Sequence, residues 1–190
     1  MKKILIYPNS VLRTKTEEIA AVDRNLIKEI ADLVAVLGES ENGAGLAATQ
    51  IGIKKRFFGL KETETRKVKV IINPKIETVW GEKTFPMLIK DDNKEENFLE
   101  GCLSFPNYYG TVKRYLKIKA SWDELKKNKF SRVSKILGGF EAVVFQHESD
   151  HLDGVLFVDH VKEDGGKLYK WDEEKKMVKW DVKKVIKGEL

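Results

Sequence analysis

Gln146-His147-Glu148-Ser149-Asp150-His151 sets two histidines four residues apart with a carboxylate between them. On an α-helix such positions share a face about one turn apart, so His147 and His151 present nitrogens to a single metal ion while Glu148 projects beside it. The remaining chain must then bury that helix and bring a third ligand to it. Cys102, the only cysteine, lies upstream in Glu100-Gly101-Cys102-Leu103-Ser104 and offers a soft thiolate. Three protein ligands leave one coordination position for water, as in a catalytic rather than a structural metal site. His160 has no partner at ligand spacing and reads as an ordinary surface or half-buried histidine.

A chain of 190 residues, 42% of them hydrophobic, suffices for one domain with a real core. Its 35 basic and 30 acidic residues leave a formal charge of +5, which reads as a solvated surface of mixed sign and not a dedicated nucleic-acid face. Met1-Lys2-Lys3 opens like a secretory leader, but the apolar stretch from Ile4 to Tyr7 stops at Pro8, too short for one. No run approaches the roughly 18 apolar residues of a membrane span, and one cysteine makes no internal disulfide. The expected location is the cytoplasm, or the lumen of a bacterial-type organelle after loss of a transit peptide. A reducing medium there suits a thiolate ligand.

Glycine and proline punctuate short elements along the chain. Lys3 to Tyr7 reads as extended. Leu26, Ile30, Leu33, Val34 and Leu37 recur at helical spacing, so a helix is expected from Asp23 to Leu37, with Asp23 as N-cap and Gly38 as stop. Gly43 to Gly52 is dense in small residues where backbone can approach a ligand, although a glycine-rich turn into a buried strand accounts for it equally well. Arg56 to Leu60, Val68 to Ile72 and Ile76 to Trp80 read as strands, broken at Asn73-Pro74. The charged run between Ile89 and Asn97 reads as an exposed, mobile loop. Val112, Arg114, Leu116, Ile118 and Ala120 alternate within Tyr109 to Trp122, which reads as one or two strands. The metal helix spans Gly138-Gly139 to Gly154, with Phe140, Val143, Val144, His147 and His151 on one broad face. Beyond Gly165-Gly166, aromatic and apolar residues alternate on either side of Asp172 to Lys176. That is the pattern of a hairpin packing its aromatic face on the domain.

The helix motif alone points to a zinc peptidase. The chain follows His-Glu-x-x-His-x-x-Gly-x-x-His as far as Gly154, then carries Phe157 where the third histidine belongs. Other zinc peptidases take a downstream glutamate, and spacing leaves Glu163, Glu173 and Glu174 open for that part. Such an enzyme gives Cys102 and the glycine-rich segment no role. A non-enzymatic alternative is a basic ribosome- or RNA-binding module with a structural metal, but a structural site has no need of Glu148.

Gly43-Ala44-Gly45-Leu46-Ala47-Ala48-Thr49-Gln50, Glu100-Gly101-Cys102-Leu103-Ser104 and Gln146-His147-Glu148-Ser149-Asp150-His151-Leu152 together resemble the three motifs of the peptide deformylase family, in order and at suitable separations. The resemblance opens at Tyr7-Pro8 with Leu12-Arg13 and runs to about His160. Thr49 stands where proline is common, and a polar insertion precedes Glu100. The hairpin-like tail departs from members that end in a long basic helix, so the resemblance does not imply ribosome docking through such a helix here.

With the element pattern, the resemblance implies an α+β fold of mostly antiparallel sheets around a central metal-bearing helix. Residues 1–163 form the catalytic domain and 164–190 a C-terminal hairpin extension on it. The implied activity is hydrolytic removal of the formyl group from the starting methionine of new polypeptides. Its partners are N-formylmethionyl nascent chains, in association with the ribosome and with no membrane. Cys102, His147 and His151 would hold one divalent metal ion, ferrous iron by resemblance, with zinc, nickel or cobalt compatible with the same ligands. A water on that metal would be the nucleophile and Glu148 the proton carrier, with the Gln50 amide and the Leu103 N–H stabilising the oxyanion. The peptide is expected to lie as an added strand against backbone near Gly45, Gly101 and Tyr109-Gly110. Its methionine would enter a pocket of Leu103, Phe140, Val143 and Val144.

Overall fold

Asp23 starts the first helix as an N-cap should, its side chain accepting from the Leu26 N–H at 2.6 Å. Helix α1 (Arg24–Glu39) buries Leu26, Leu33, Val36 and Leu37. It passes through Gly38, which keeps out of the left-handed region, and ends where the Ser40 N–H closes onto the Leu37 carbonyl. The computed structural model describes residues 2–62, 64–89, 95–174 and 176–189. Strands β1 (Gly45–Ala47), β2 (Phe57–Lys61), β3 (Val68–Trp80), β4 (Met87–Ile89), β5 (Glu95–Asn97), β6 (Glu100–Cys102) and β7 (Phe105–Gly110) follow. Then come β8 (Lys117–Lys126), β9 (Lys129–Gly138), helices α2 (Gly139–Leu152) and α3 (Phe157–Glu163), β10 (Leu168–Trp171), β11 (Met177–Trp180) and the short α4 (Val182–Ile186).

One sheet runs β1-β2-β3-β8-β9 and a second β11-β10-β7-β6, while β4 and β5 form a separate hairpin. Every pairing between these strands is antiparallel. The Phe57-Phe58 pair shows how the larger sheet is filled. Successive strand residues point to opposite faces, so Phe57 joins the core under α1 with Leu26, Leu33 and Ile72, and Phe58 joins the core under α2 with Ala142 and Phe145. Helix α2 is thus clamped on that sheet, and its other side meets the core of the second sheet, where Phe157 lies 6.4 Å from the His147 ring.

Asn73-Pro74 does not split β3; the strand continues through register shifts, with Asn73 at φ 49° and its side chain bonded to the Ile19 backbone and to Asp123. A proline lacking its N–H and a residue in the left-handed region are absorbed as a bulge. Of the one or two strands expected from Tyr109 to Trp122, two are present, and the alternation from Val112 to Ala120 runs across the gap between them. The chain leaves β7 after Gly110 and rejoins a sheet at Lys117, and between them Arg114 pairs its backbone with Thr84 and buries its guanidinium. At the end of the charged run expected as a loop between Ile89 and Asn97, Glu95–Asn97 form β5 and pair with β4; residues 90–94 lie outside the described residues.

The tail hairpin is built into the second sheet. Strand β10 pairs with β7 from Tyr108↔Lys170 to Gly110↔Leu168, and Leu168 and Val185 are buried in the core with Tyr7, Phe105 and Phe157. Tyr7 donates its hydroxyl to the Ile186 carbonyl at 2.6 Å. Burying one such aliphatic side chain is worth about 1.5–3 kcal/mol. Ending the chain at Glu163 is therefore expected to lower the melting temperature by well over ten degrees or abolish folding; a truncated protein that melts like the whole chain would show the tail to be ornamental.

Candidate metal centre

Helix α2 brings the two histidines inside because nearly every side of it is covered: Ala142, Val143, Phe145, Gln146, His147, Glu148, His151 and Leu152 are all buried. Its last carbonyls would be orphans in such a place. Thr16 satisfies that of Leu152 through its N–H and hydroxyl, both at 2.8 Å, and the Thr49 hydroxyl donates to that of His151 at 3.4 Å. A proline at 49 has no donor for this bond, so Thr49 ties the turn bearing Gln50 to the end of the metal helix.

Cys102 ends β6 at a tight turn into β7, where it pairs with Phe105. Its Sγ lies 3.2 Å from His151 Nε2, and the ligating atoms of Cys102, His147 and His151 all fall within 4.8 Å of one another. Among the described residues this is the only such group. Burial and the neighbouring His147 push the pKa of His151 down to about 3, leaving its imidazole neutral with a lone pair to offer. For His147 burial also opposes charge, but Glu100 and Cys102 overcome it and hold the pKa well above the usual histidine value. Its Nδ1 is 2.7 Å from Glu100 Oε1, which fixes the tautomer and aims the other nitrogen at the cluster. The pocket favours positive charge at that outer nitrogen, a demand a metal cation meets as well as a proton. One thiolate and two imidazoles suit zinc, iron, cobalt or nickel.

Glu100 is itself held. Arg114 donates to both its oxygens, at 2.7 and 3.0 Å, and reaches Asp150 at 2.5 Å; His160 Nε2 lies 2.9 Å from the same Asp150 oxygen. Despite burial, Arg114 and His147 keep the Glu100 carboxyl well below the ordinary range. His160 is half-buried, one of the two settings expected for it, and has Asp150 as a partner. The sequence signal for this group was Arg114 at an apparently apolar strand position.

Glu148 is the unusual acid. It is buried, its Oε2 has no hydrogen-bond partner, and burial raises its pKa to about 7, with Glu100 and Asp150 adding to the rise and His147 opposing it. A Cβ built on Gly45 would come 2.5 Å from Glu148 Oε1, so the carboxylate lies directly on β1 backbone where only glycine leaves room. Gln50 is oriented by the Ala47 N–H, which donates to its Oε1 at 2.8 Å. Its Nε2 is turned toward Cys102 Sγ at 3.4 Å and Ser104 Oγ at 3.2 Å.

A cavity of about 440 Å³ opens onto these groups, lined by Gly45, Gln50, Gly101, Cys102, Leu103, Tyr109, Phe140, Val143, Val144, His147 and Glu148. Gly110 is not among its walls. Strand β7 is paired on both edges, by β6 and β10, and the space beside Gly110 is filled by Val161 and Phe157. The expected added strand therefore has no edge at Tyr109-Gly110; among the described residues, the outer strands that reach the cavity are β1 and β6. Phe98 and Leu99 also line the cavity, and Phe98 meets Phe140 edge to face at 5.7 Å. The apolar pair directly after the charged insertion was their signal. The glutamates considered as peptidase ligands stand apart: Glu163 and Glu173 are exposed, and Glu174 pairs with Lys176 at the surface. Phe157, at the position of the missing third histidine, is a buried core residue.

The family model for polypeptide deformylase matches residues 1–166. Peptide deformylase 1 of Bacillus subtilis is 38% identical over 91% of this chain and 95% of its own length, and the peptide deformylase of Aquifex aeolicus is 35% identical over 85% and 88%. Among solved structures, the peptide deformylase of Thermotoga maritima superposes with a TM-score of 0.70 at 32% identity, covering 84% of this chain and 97% of that one.

Proposed function

The chain belongs to the polypeptide deformylase family, metallohydrolases that remove the formyl group from the N-terminus of newly made polypeptides, and from that premise we propose how its own residues do so. The observation that carries the proposal is Glu148, a buried carboxyl with a free oxygen and a near-neutral pKa, lodged beside a Cys-His-His cluster. A formamide is an unreactive amide, so its hydrolysis needs an activated water, a home for negative charge and a proton for the leaving amine. A divalent ion held by Cys102, His147 and His151 supplies Lewis acidity and lowers the pKa of water. Glu148 takes the proton of the attacking water and returns it to the amine nitrogen. A group with a pKa near the working pH serves both transfers. Nε2 of Gln50 and the N–H of Leu103 donate to the oxyanion.

The formyl-methionyl chain lies between the open edges of β1 and β6, at Gly45 and Gly101, using main-chain hydrogen bonds that tolerate many sequences. Its methionine side chain fills the apolar part of the cavity at Leu103, Phe140, Val143 and Val144. Val144→Asp is expected to raise KM for a formyl-methionyl peptide by about tenfold or more, the scale set by losing apolar contact and desolvating a charge; an unchanged KM would place the methionine elsewhere. Ferrous iron as the native metal, action on chains emerging from the ribosome and a cytoplasmic location belong to the same proposal. No helix among the described residues is long and apolar enough to cross a membrane.

Formate release tests the whole. The protein, prepared without oxygen and loaded with ferrous iron, is expected to release formate from a short formyl-methionyl peptide, leave its backbone uncut and stop when the metal is chelated. Internal cleavage without formate would move the chain to the peptidases.

A further inference from the structure

We propose that His160 is a positioning residue for His147, acting through Asp150, Arg114 and Glu100. The proposal rests on the reading of Cys102, His147 and His151 as metal ligands. Three side chains connect the two histidines in an unbroken series of four links: His160 Nε2 to Asp150 Oδ2 at 2.9 Å, Asp150 Oδ2 to Arg114 Nη1 at 2.5 Å, Arg114 to both oxygens of Glu100, and Glu100 Oε1 to His147 Nδ1 at 2.7 Å. The inner links are rigid by construction. Arg114 spends its Nε and Nη2 on Glu100 as a planar fork, which leaves Nη1 to be fixed from outside.

The outer anchor is the weak point, and His160 holds it. The side chains of Arg114 and Glu100 are 3% and 6% exposed, whereas Asp150 is 25% exposed and has water to turn toward. Its Oδ2 receives both Arg114 and His160, so the histidine pins the oxygen that pins the guanidinium. His160 is on α3, and that helix is fixed from two sides: Asp159 accepts both guanidinium nitrogens of Arg13, and Phe157 packs beside the His147 ring. Released, Asp150 would swing outward, Arg114 would lose its third contact, and the Arg114–Glu100 fork would be free to shift as a unit against His147. Direct partners of a ligating histidine alter metal affinity by about 10- to 100-fold. His160 stands three side chains away and is expected to act more weakly, by about three- to tenfold.

The test uses the zinc-loaded protein and two substitutions. His160→Phe keeps the bulk and removes the donor, and His160→Gln places an amide nitrogen near the position of Nε2. Two quantities are read: the half-time of zinc release to an excess of chelator, and the proton resonance of the His147 Nδ1–H in protein labelled with nitrogen-15 at histidine. The Phe variant is expected to release zinc about three to ten times faster and to shift that resonance upfield, and the Gln variant to restore both. Wild-type behaviour in the Phe variant, or a Gln variant as impaired as Phe, would overturn the proposal, the latter by showing that shape and not the hydrogen bond matters. If the Phe variant does not fold, Asp150→Asn is read in the same two ways, and a wild-type resonance there has the same consequence. A wild-type protein that binds no zinc would overturn the ligand assignment itself, and the inference with it.

Discussion

Glu148→Gln is expected to leave metal binding intact and lower kcat by about 10²- to 10⁴-fold, the range that a positioned acid or base contributes. Glutamine keeps the volume that fits against Gly45 and removes only the group that carries the proton. A variant that binds metal and turns over at the wild-type rate would end the proton-carrier assignment. The same carboxyl leaves a mark on stability. Its pKa is raised from 4.5 to about 7 by burial, so below pH 4.5 it is neutral whether the chain is folded or not. Between those values the unfolded chain ionises and the folded one does not, and stability falls as pH rises through the window, by about 3 kcal/mol in all. In the metal-free protein, Glu148→Gln should therefore melt higher than wild type at pH 8, with the difference vanishing toward pH 4. Activity has the opposite slope on its acid limb, because only the ionised carboxylate accepts a proton. The residue that makes the site work destabilises the fold that contains it.

The part of this site that lies within one helix was legible in the sequence. His147, Glu148 and His151 owe their juxtaposition to helical periodicity, and Asp23 caps α1 by the same local logic. What could not be read from local pattern depends on long-range pairing. Arg114 sits at an alternating position that mimics a strand, yet its side chain is drawn inward by Glu100 and Asp150, whose places are set by two other elements. Gly110 lies in the right segment for a substrate edge, but β10 arrives from nearly 60 residues downstream to occupy that edge. Strand β9 and helix α3 carried no clear periodic signal; the first is stabilised by its ten-residue pairing with β8 and the second by Phe157 and Val161 in the core. Likewise the small residues of Gly43 to Gly52 are ambiguous on their own, and it is Glu148 lying on Gly45 that gives the segment its role. A glycine's role is defined by what approaches it, which its own segment does not encode.

Gln50→Ala is expected to lower kcat by about 10²- to 10³-fold with little change in KM, the loss found when one oxyanion donor is removed. The side chain is held at both ends: its carbonyl accepts from Ala47, and its amide nitrogen donates to Ser104 Oγ beside Cys102 Sγ. Alanine deletes the donor and leaves the Ala47 N–H without its acceptor, so that variant confounds catalysis with local packing. Gln50→Glu separates them. It retains the size and the acceptor for Ala47, and exchanges a donor for a negative oxygen beside Cys102 and facing the place where charge develops. If the amide works by donating to the oxyanion, the Glu variant should fold, with the lower melting temperature that a buried carboxylate brings, yet lose more activity than Ala, since repulsion replaces stabilisation. If it served only to brace the turn ahead of Ile51, Glu would restore what Ala removes. Parallel melting curves and kcat values for the two variants decide between these roles, because only the electrostatic one ranks Glu below Ala.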